Sequence, residues 1–397
     1  MGVKFKGDFT QQEPIPEAGI EAAVRVMRHG RLHRYNTVAG EVAETVLLEQ
    51  EFAAFTGAKY CLAVASGGYA LGAALRALGV EHGDAVLTNA FTLAPVPGAI
   101  ASVGARPVFV EVTGDLVMDL DDLNAKILSS GAKVLMLSHM RGHIVDMDAL
   151  MQICDGAGVQ VIEDCAHTMG ADWNGVPSGR HGIIGCYSTQ TFKHVNSGEG
   201  GLLITDDADA MARATMLSGS YMLYESHGAG APAEAFDDVR LDTPNCSGRM
   251  DNLRAAILRP QLAQLPAQAA AWNARYRVLE DALAQVEGLR LIDRPAKEGF
   301  VASSFQFCLD DLAAAPIEAF LASCMARGVQ IKWFGADRPV GFTSRHDSWR
   351  YTEAQDLPRT DSVLAGLMDI RLPLTIAPED YRVVAQIIRE ELAAVIP

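Results

Sequence analysis

Two short stretches of this 397-residue chain hold residue types, at a spacing, that could do chemistry. The first is Val161-Ile-Glu-Asp-Cys-Ala-His167, an apolar run that meets two acids and places Asp164 where a strand would end. The second is Tyr187-Ser-Thr-Gln-Thr-Phe-Lys193-His-Val-Asn-Ser-Gly-Glu-Gly-Gly201, in which a lysine is followed by a glycine-dense turn. A lysine amine held neutral attacks carbonyl carbon, and a positioned lysine or acid can carry protons during the reaction. Each feature also has a plainer explanation. Acids cap helices and start turns, most lysines are solvated, and glycines supply positive φ. A single histidine such as His167 is commonly structural.

The surrounding pattern supplies elements that would position these residues. From about 60 to 215, apolar runs alternate with helical spacing. The strands are expected at Cys61–Ala65, Ala85–Thr88, Pro107–Val112, Val134–Ser138, Val159–Glu163, Gly185–Thr189 and Gly201–Thr205. Helices are expected at Tyr69–Leu78, Pro95–Val103, Leu120–Leu128, Met147–Ala157 and Asp207–Leu217. This alternation predicts an α/β fold with a mostly parallel sheet between helices, whose ligands bind beyond the carboxyl ends of the strands. Residues 1–40 read as an N-terminal arm with a helix near Ile20–Met27, and 41–250 as a large domain. Residues 218–246 read as a long loop, and 251–288 as a linking helical stretch interrupted at Pro260 and Pro266. Residues 289–397 read as a smaller C-terminal α/β domain. Its strands are expected at Leu289–Ile292, Ser303–Leu309 and Val329–Trp333, with a helix at Ile317–Arg327 before the third, then a loop and a last helix at Pro378–Ala393.

Taken together, Asp164, Lys193 twenty-nine residues later and Ser197-Gly-Glu-Gly-Gly201 resemble the DegT/DnrJ/StrS-type sugar aminotransferases. Further ordered matches extend the resemblance over most of the chain. They include Ala65-Ser-Gly-Gly-Tyr-Ala-Leu71, Asn89-Ala-Phe-Thr92, Ser138-His-Met-Arg-Gly142, Gly248-Arg-Met-Asp-Asn252 and Arg371-Leu-Pro-Leu374. The resemblance implies the fold type I architecture of pyridoxal 5'-phosphate (PLP) enzymes, with a seven-stranded sheet in the large domain. It implies an internal aldimine on Lys193, Asp164 against the pyridine nitrogen and His167 at the ring hydroxyl. Ser66, Gly67, Gly68 and Ser188 would hold the phosphate, the glycines through N–H groups at a helix N-terminus. It further implies ping-pong transfer from glutamate or glutamine to a small carbonyl acceptor such as a keto-sugar or cyclitol-like ketone. The enzyme would be a homodimer with a shared active site.

Four positions depart from the family. Its Ser-Gly-Thr is Ser66-Gly67-Gly68, which removes one hydroxyl. Its ring-stacking aromatic is Leu93, with Phe91 nearby but offset. The asparagine that reaches the partner subunit's phosphate site is Ser247, with Asn245 two residues earlier. A glycine-containing segment near the site mouth is Arg31-Leu-His-Arg-Tyr-Asn-Thr37. Two other activities compete with amino transfer. A dehydratase branch has histidine at the lysine position, whereas here His194 follows Lys193. A non-catalytic regulator would not need the Asp164, His167, Ser188 and Lys193 set. For acceptor recognition, His139, Arg141 and His143 follow a strand end, and Arg31, Arg34, Lys332, Arg338 and Arg345 are basic residues near loops. All of these read first as solvated charge.

Bulk properties agree with such an enzyme. The net charge is −16, from 33 basic and 49 acidic residues, which argues against binding nucleic acid or an anionic membrane. No apolar run suggests a transmembrane helix, and Met1–Gln12 is too polar for a secretory leader. The seven cysteines form no CxxC pattern, so no metal site or disulfide framework is expected, and a reducing cytoplasm fits.

Overall fold

The structure, a computed structural model, describes residues 2–396. Along the chain come α1 (Glu17–His29), α2 (Glu44–Thr56), β1 (Tyr60–Val64), α3 (Gly67–Ala77), β2 (Ala85–Asn89), α4 (Pro95–Ser102), β3 (Arg106–Val110), α5 (Leu120–Ser130) and β4 (Val134–Ser138). Then follow α6 (Met147–Ala157), β5 (Gln160–Asp164), β6 (Asp172–Trp173), β7 (Val176–Pro177), β8 (Ile184–Ser188), β9 (Gly201–Thr205) and α7 (Ala208–Ser218). The long α8 (Asn252–Leu283) leads to β10 (Arg290–Leu291), β11 (Glu298–Gly299), β12 (Ser304–Cys308), α9 (Ala314–Ala326), β13 (Lys332–Trp333), α10 (Pro358–Ala365), β14 (Leu367–Arg371) and α11 (Asp380–Ala393).

Seven strands form the main sheet in the order β1-β9-β8-β5-β4-β2-β3. β9 runs antiparallel to both β1 and β8, and the other pairs are parallel. Both faces are covered, so β4, β8 and β9 are buried along their whole length, as their continuous apolar runs predict. One core lies against α2, α5, α6 and α8, and a second against α3, α4 and α7. Aspartates start several helices: Asp119, Asp146, Asp207 and Asp251 accept backbone N–H groups at the N-termini of α5, α6, α7 and α8.

The C-terminal part of the chain forms a four-stranded antiparallel sheet, β10-β12-β14-β13. Three features differ from the sequence expectation. First, α8 runs unbroken through Pro260 and Pro266. It buries Leu258, Leu262, Leu265, Trp272, Tyr276, Leu279 and Leu283, and this packing outweighs the two missing backbone donors. Second, α10 and β14 occupy a region expected to be loop. Third, a small sheet, β11-β6-β7, joins the two parts of the chain. The start of the chain lies on α9, where the Phe5 N–H donates to the Arg327 carbonyl. No helix among the described residues is long and apolar enough to cross a membrane.

Candidate active site

Four strands of the main sheet end at the same edge, and their last residues interlock. Asn89 closes β2, Ser138 closes β4, Asp164 closes β5 and Ser188 closes β8. The Asn89 side chain pairs with the backbone of Ser138 in both directions, at 2.9 Å each. This fixes the Ser138 hydroxyl, which accepts from Thr92 and donates to Asp164 Oδ2, each at 3.0 Å. Asp164 Oδ1 accepts the Ala166 N–H at 3.1 Å. Asp164 therefore makes the turn contact expected of an ordinary strand-end acid, while its second oxygen is held at the pocket. Next to it, Glu163 is fully buried and accepts the N–H groups of Gly179, His181 and Gly182 and a contact from His139 at 3.0 Å. This anchors the strand end from below.

A pocket opens above these ends. Its lining includes Gly67, Gly68, Leu93, Ala166, Asp164, His167, Ser188 and Lys193. Lys193 follows a turn closed by its own N–H to the Gln190 carbonyl. Its Nζ lies 2.8 Å from His167 Nε2, while the Arg141 N–H approaches His167 Nδ1 at 3.4 Å. Burial lowers the Lys193 amine to about 8, against the pull of Asp164 and with help from Arg141, Arg371 and Lys332. At neutral pH this leaves a larger neutral, nucleophilic fraction than a free lysine has. Burial, then Lys193 and Arg141, push His167 well below its ordinary range, so it stays a neutral hydrogen-bonding group. Burial raises the Asp164 carboxyl, with Lys193, the Ala166 N–H and Ser138 opposing. His194 turns away: it contacts Ser303 at 3.1 Å and packs on Trp272.

The N-terminus of α3 lines one end of the pocket. Ser66 Oγ caps the Tyr69 N–H, and the Ser66 carbonyl takes the Ala70 N–H. The N–H groups of Gly67 and Gly68 have no partner among the described residues. The helix start presses on β8: a Cβ on Gly67 would sit 2.8 Å from Ser188 Cβ, whereas one on Gly68 would meet nothing closer than Pro95 at 3.8 Å. These groups fit PLP. A phosphate would meet two free N–H groups at a helix start and the Ser188 hydroxyl, the ring would lie by Leu93 and Ala166, and Asp164, His167 and Lys193 would face its polar edge.

Not every expected residue reaches this pocket. Phe91 is buried below it, edge-on to Phe334 at 5.1 Å between ring centres, and Leu93 lines the wall instead. Asn245 and Ser247 lie on the surface, bonded to each other, although the Ala65 N–H donates to the neighbouring Gly248 carbonyl. Of the other basic candidates, Arg34 is buried in an ion pair with Glu49 at 2.9 Å, Arg31 pairs with Glu41, Arg345 pairs with Asp347 and Asp361, and Arg338 is exposed. His143 is buried against Gln306 and His139 against Glu163. Arg141 and Lys332 instead approach the pocket beside Asp369, together with Arg371. Arg371 carried no signal in the sequence beyond its place in a short C-terminal match.

Comparison with known proteins agrees with this geometry. Residues 16–389 match the DegT/DnrJ/EryC1/StrS aminotransferase family. The chain is 32% identical over 292 residues to 3-amino-5-hydroxybenzoate synthase of Amycolatopsis mediterranei, covering 73% of this chain and 71% of that one. It is 32% identical over 274 residues to L-glutamine:scyllo-inosose aminotransferase of Streptomyces griseus, covering 68% and 64%. The crystal structure of a 3-amino-5-hydroxybenzoic acid synthase superposes with a TM-score of 0.83 at 26% identity, over 99% of this chain and all of that one. The chain therefore belongs to the DegT/DnrJ/EryC1/StrS family and is a PLP-dependent aminotransferase of fold type I.

Proposed function

We propose that the chain moves an amino group from glutamine or glutamate to a ketone on a sugar or cyclitol-like ring, in a two-stage ping-pong cycle. The observation that carries this reading is the meeting of Lys193 Nζ, His167 and Asp164 in one pocket with two free N–H groups of α3. PLP, when bound, supplies the electron sink for the carbon that loses a proton. Lys193 is the residue that attaches the cofactor and then, released by substrate, carries a proton between carbons as a neutral amine. Asp164, oriented by Ser138, keeps the ring nitrogen protonated. His167 bonds the ring hydroxyl. Gly67, Gly68 and Ser188 hold the phosphate.

The name of the L-glutamine:scyllo-inosose aminotransferase supports both a cyclitol-ketone acceptor and glutamine as donor. The exposed Asn245 and Ser247 stand near a surface that also exposes Tyr221 and Met222. This supports a homodimer in which one of the pair reaches the partner subunit's phosphate site. The test supplies glutamine or glutamate labelled with heavy nitrogen at the α-position, together with a panel of cyclic ketones. The reading requires label in the amine product and parallel double-reciprocal lines. Unlabelled product, or full turnover in Lys193→Ala, would overturn it.

A further inference from the structure

Three cations converge on the side of the pocket formed by the small domain. The Arg371 guanidinium ends β14 and stacks 4.0 Å over the ring of Phe192, the neighbour of Lys193. Arg141 adjoins His167 through its backbone N–H, and its side chain lies against Phe334. Lys332 starts β13. One acid answers all three. Asp369 is fully buried and lies 3.1 Å from Lys332 Nζ and 3.3 Å from Arg141 Nη2, and its other oxygen accepts from Gln306 at 2.7 Å. Arg371 has no hydrogen-bond or ion-pair partner among the described residues. The Arg141 side chain is only 9% exposed, yet its Nε and Nη2 find no hydrogen-bonding acceptor. The Arg371 guanidinium thus has no oxyanion of its own, and Arg141 shares the single carboxylate of Asp369 with Lys332. Guanidinium forks suit carboxylate and phosphate.

Resting on the function proposed above, we propose that Arg141, Lys332 and Arg371 form an oxyanion subsite, and that the carbonyl acceptor itself carries an acidic group, a carboxylate or a phosphate ester, which binds there. In a two-stage cycle the donor and the acceptor occupy the same space in turn. A donor amino acid brings a carboxylate. A neutral acceptor would then leave the half-buried Arg371 unmatched and Arg141 with only a shared carboxylate, which a site of this kind penalises. An acidic acceptor keeps them paired in both stages. Asp369 absorbs one charge and leaves a surplus for the ligand.

The test uses 3-oxocyclohexane-1-carboxylate and its neutral isostere, 3-oxocyclohexane-1-carboxamide. Each is given to the amino-loaded enzyme in single-turnover mixing, and the donor stage with glutamine is timed separately. Binding of both ketones is also measured by calorimetry. Wild type should use the carboxylate at least about tenfold better than the carboxamide, the discrimination expected of one charged hydrogen-bonding pair. Arg371→Gln should remove about 10- to 100-fold of the carboxylate rate and binding while leaving the carboxamide nearly unchanged. Arg141→Gln should act in the same direction, and unaltered cofactor absorbance shows that each variant is folded and loaded. Equal use of the two ketones by wild type, or an Arg371→Gln defect confined to the glutamine stage, would overturn the proposal. A wild type with no glutamine stage at all would instead overturn the functional reading beneath it.

Discussion

Alanine at Gly67 and alanine at Gly68 should have opposite consequences, although the two glycines are neighbours in the first turn of α3. Neither has positive φ, so conformational freedom does not explain them. At 67 a methyl group would lie 2.8 Å from Ser188 Cβ and 3.2 Å from Ser188 Cα, so the helix start and the end of β8 must separate. Overpacking of this kind costs about 1–3 kcal/mol, which exceeds the roughly 0.5–1 kcal/mol that alanine gains over glycine in a helix. The separation also spoils the cradle between two N–H groups and the Ser188 hydroxyl. Loss of about one charge-assisted hydrogen bond, roughly 1.5–3 kcal/mol, weakens cofactor binding about 10- to 100-fold. At 68 the nearest atoms are 3.8 and 4.0 Å away, so the methyl group fits and only the helix gain remains. Gly68→Ala should therefore be slightly more stable and bind PLP as wild type does. Gly68→Thr, which restores a hydroxyl, should bind it more tightly. The assay is titration of each apoprotein with PLP by absorbance, with thermal melts alongside. Wild-type affinity in Gly67→Ala, or an equal defect in Gly68→Ala, would refute the geometry.

Three further outcomes are expected. Because the Lys193 amine is lowered to about 8, the rate of PLP attachment to apoprotein should rise as pH increases from 6.5 through 8 and level off above it, since only the neutral amine attacks; stopped-flow mixing that finds no rise would contradict this. Ser138→Ala removes the hydroxyl that donates to Asp164 Oδ2, so turnover should fall about 10- to 100-fold with PLP binding retained, as for loss of one hydrogen bond to a charged group; unchanged turnover would show that the contact has no role. Glu49→Gln leaves the buried Arg34 without its anion and should cost about 3–5 kcal/mol, read as a lower urea midpoint.

The main sheet was legible in the sequence because its strands are continuous apolar runs; Asp164 was legible because it ends such a run, and Lys193 because a glycine-dense turn follows it. Elsewhere local pattern and tertiary structure disagreed. β14 was missed because the buried Asp369 interrupts its apolar residues, and the groups that make that acid tolerable, Arg141, Gln306 and Lys332, come from distant parts of the chain. The prolines of α8 looked like breaks because the packing that compensates them comes from distant segments. Phe91 is the aromatic nearest in sequence to the missing stacking position, two residues from Leu93, but the chain turns its ring toward Phe334. The pairing of Arg371 with Arg141, 230 positions apart, lies beyond any local signal.

The central claim is that Lys193 is the attachment residue. PLP-loaded protein can be treated with borohydride, which fixes an attached cofactor to its amine, then digested and mapped by mass. The modified peptide should contain Lys193 and no other modified lysine, and Lys193→Ala should yield none. Stable modification at another lysine, or unchanged labelling of the variant, would contradict the assignment.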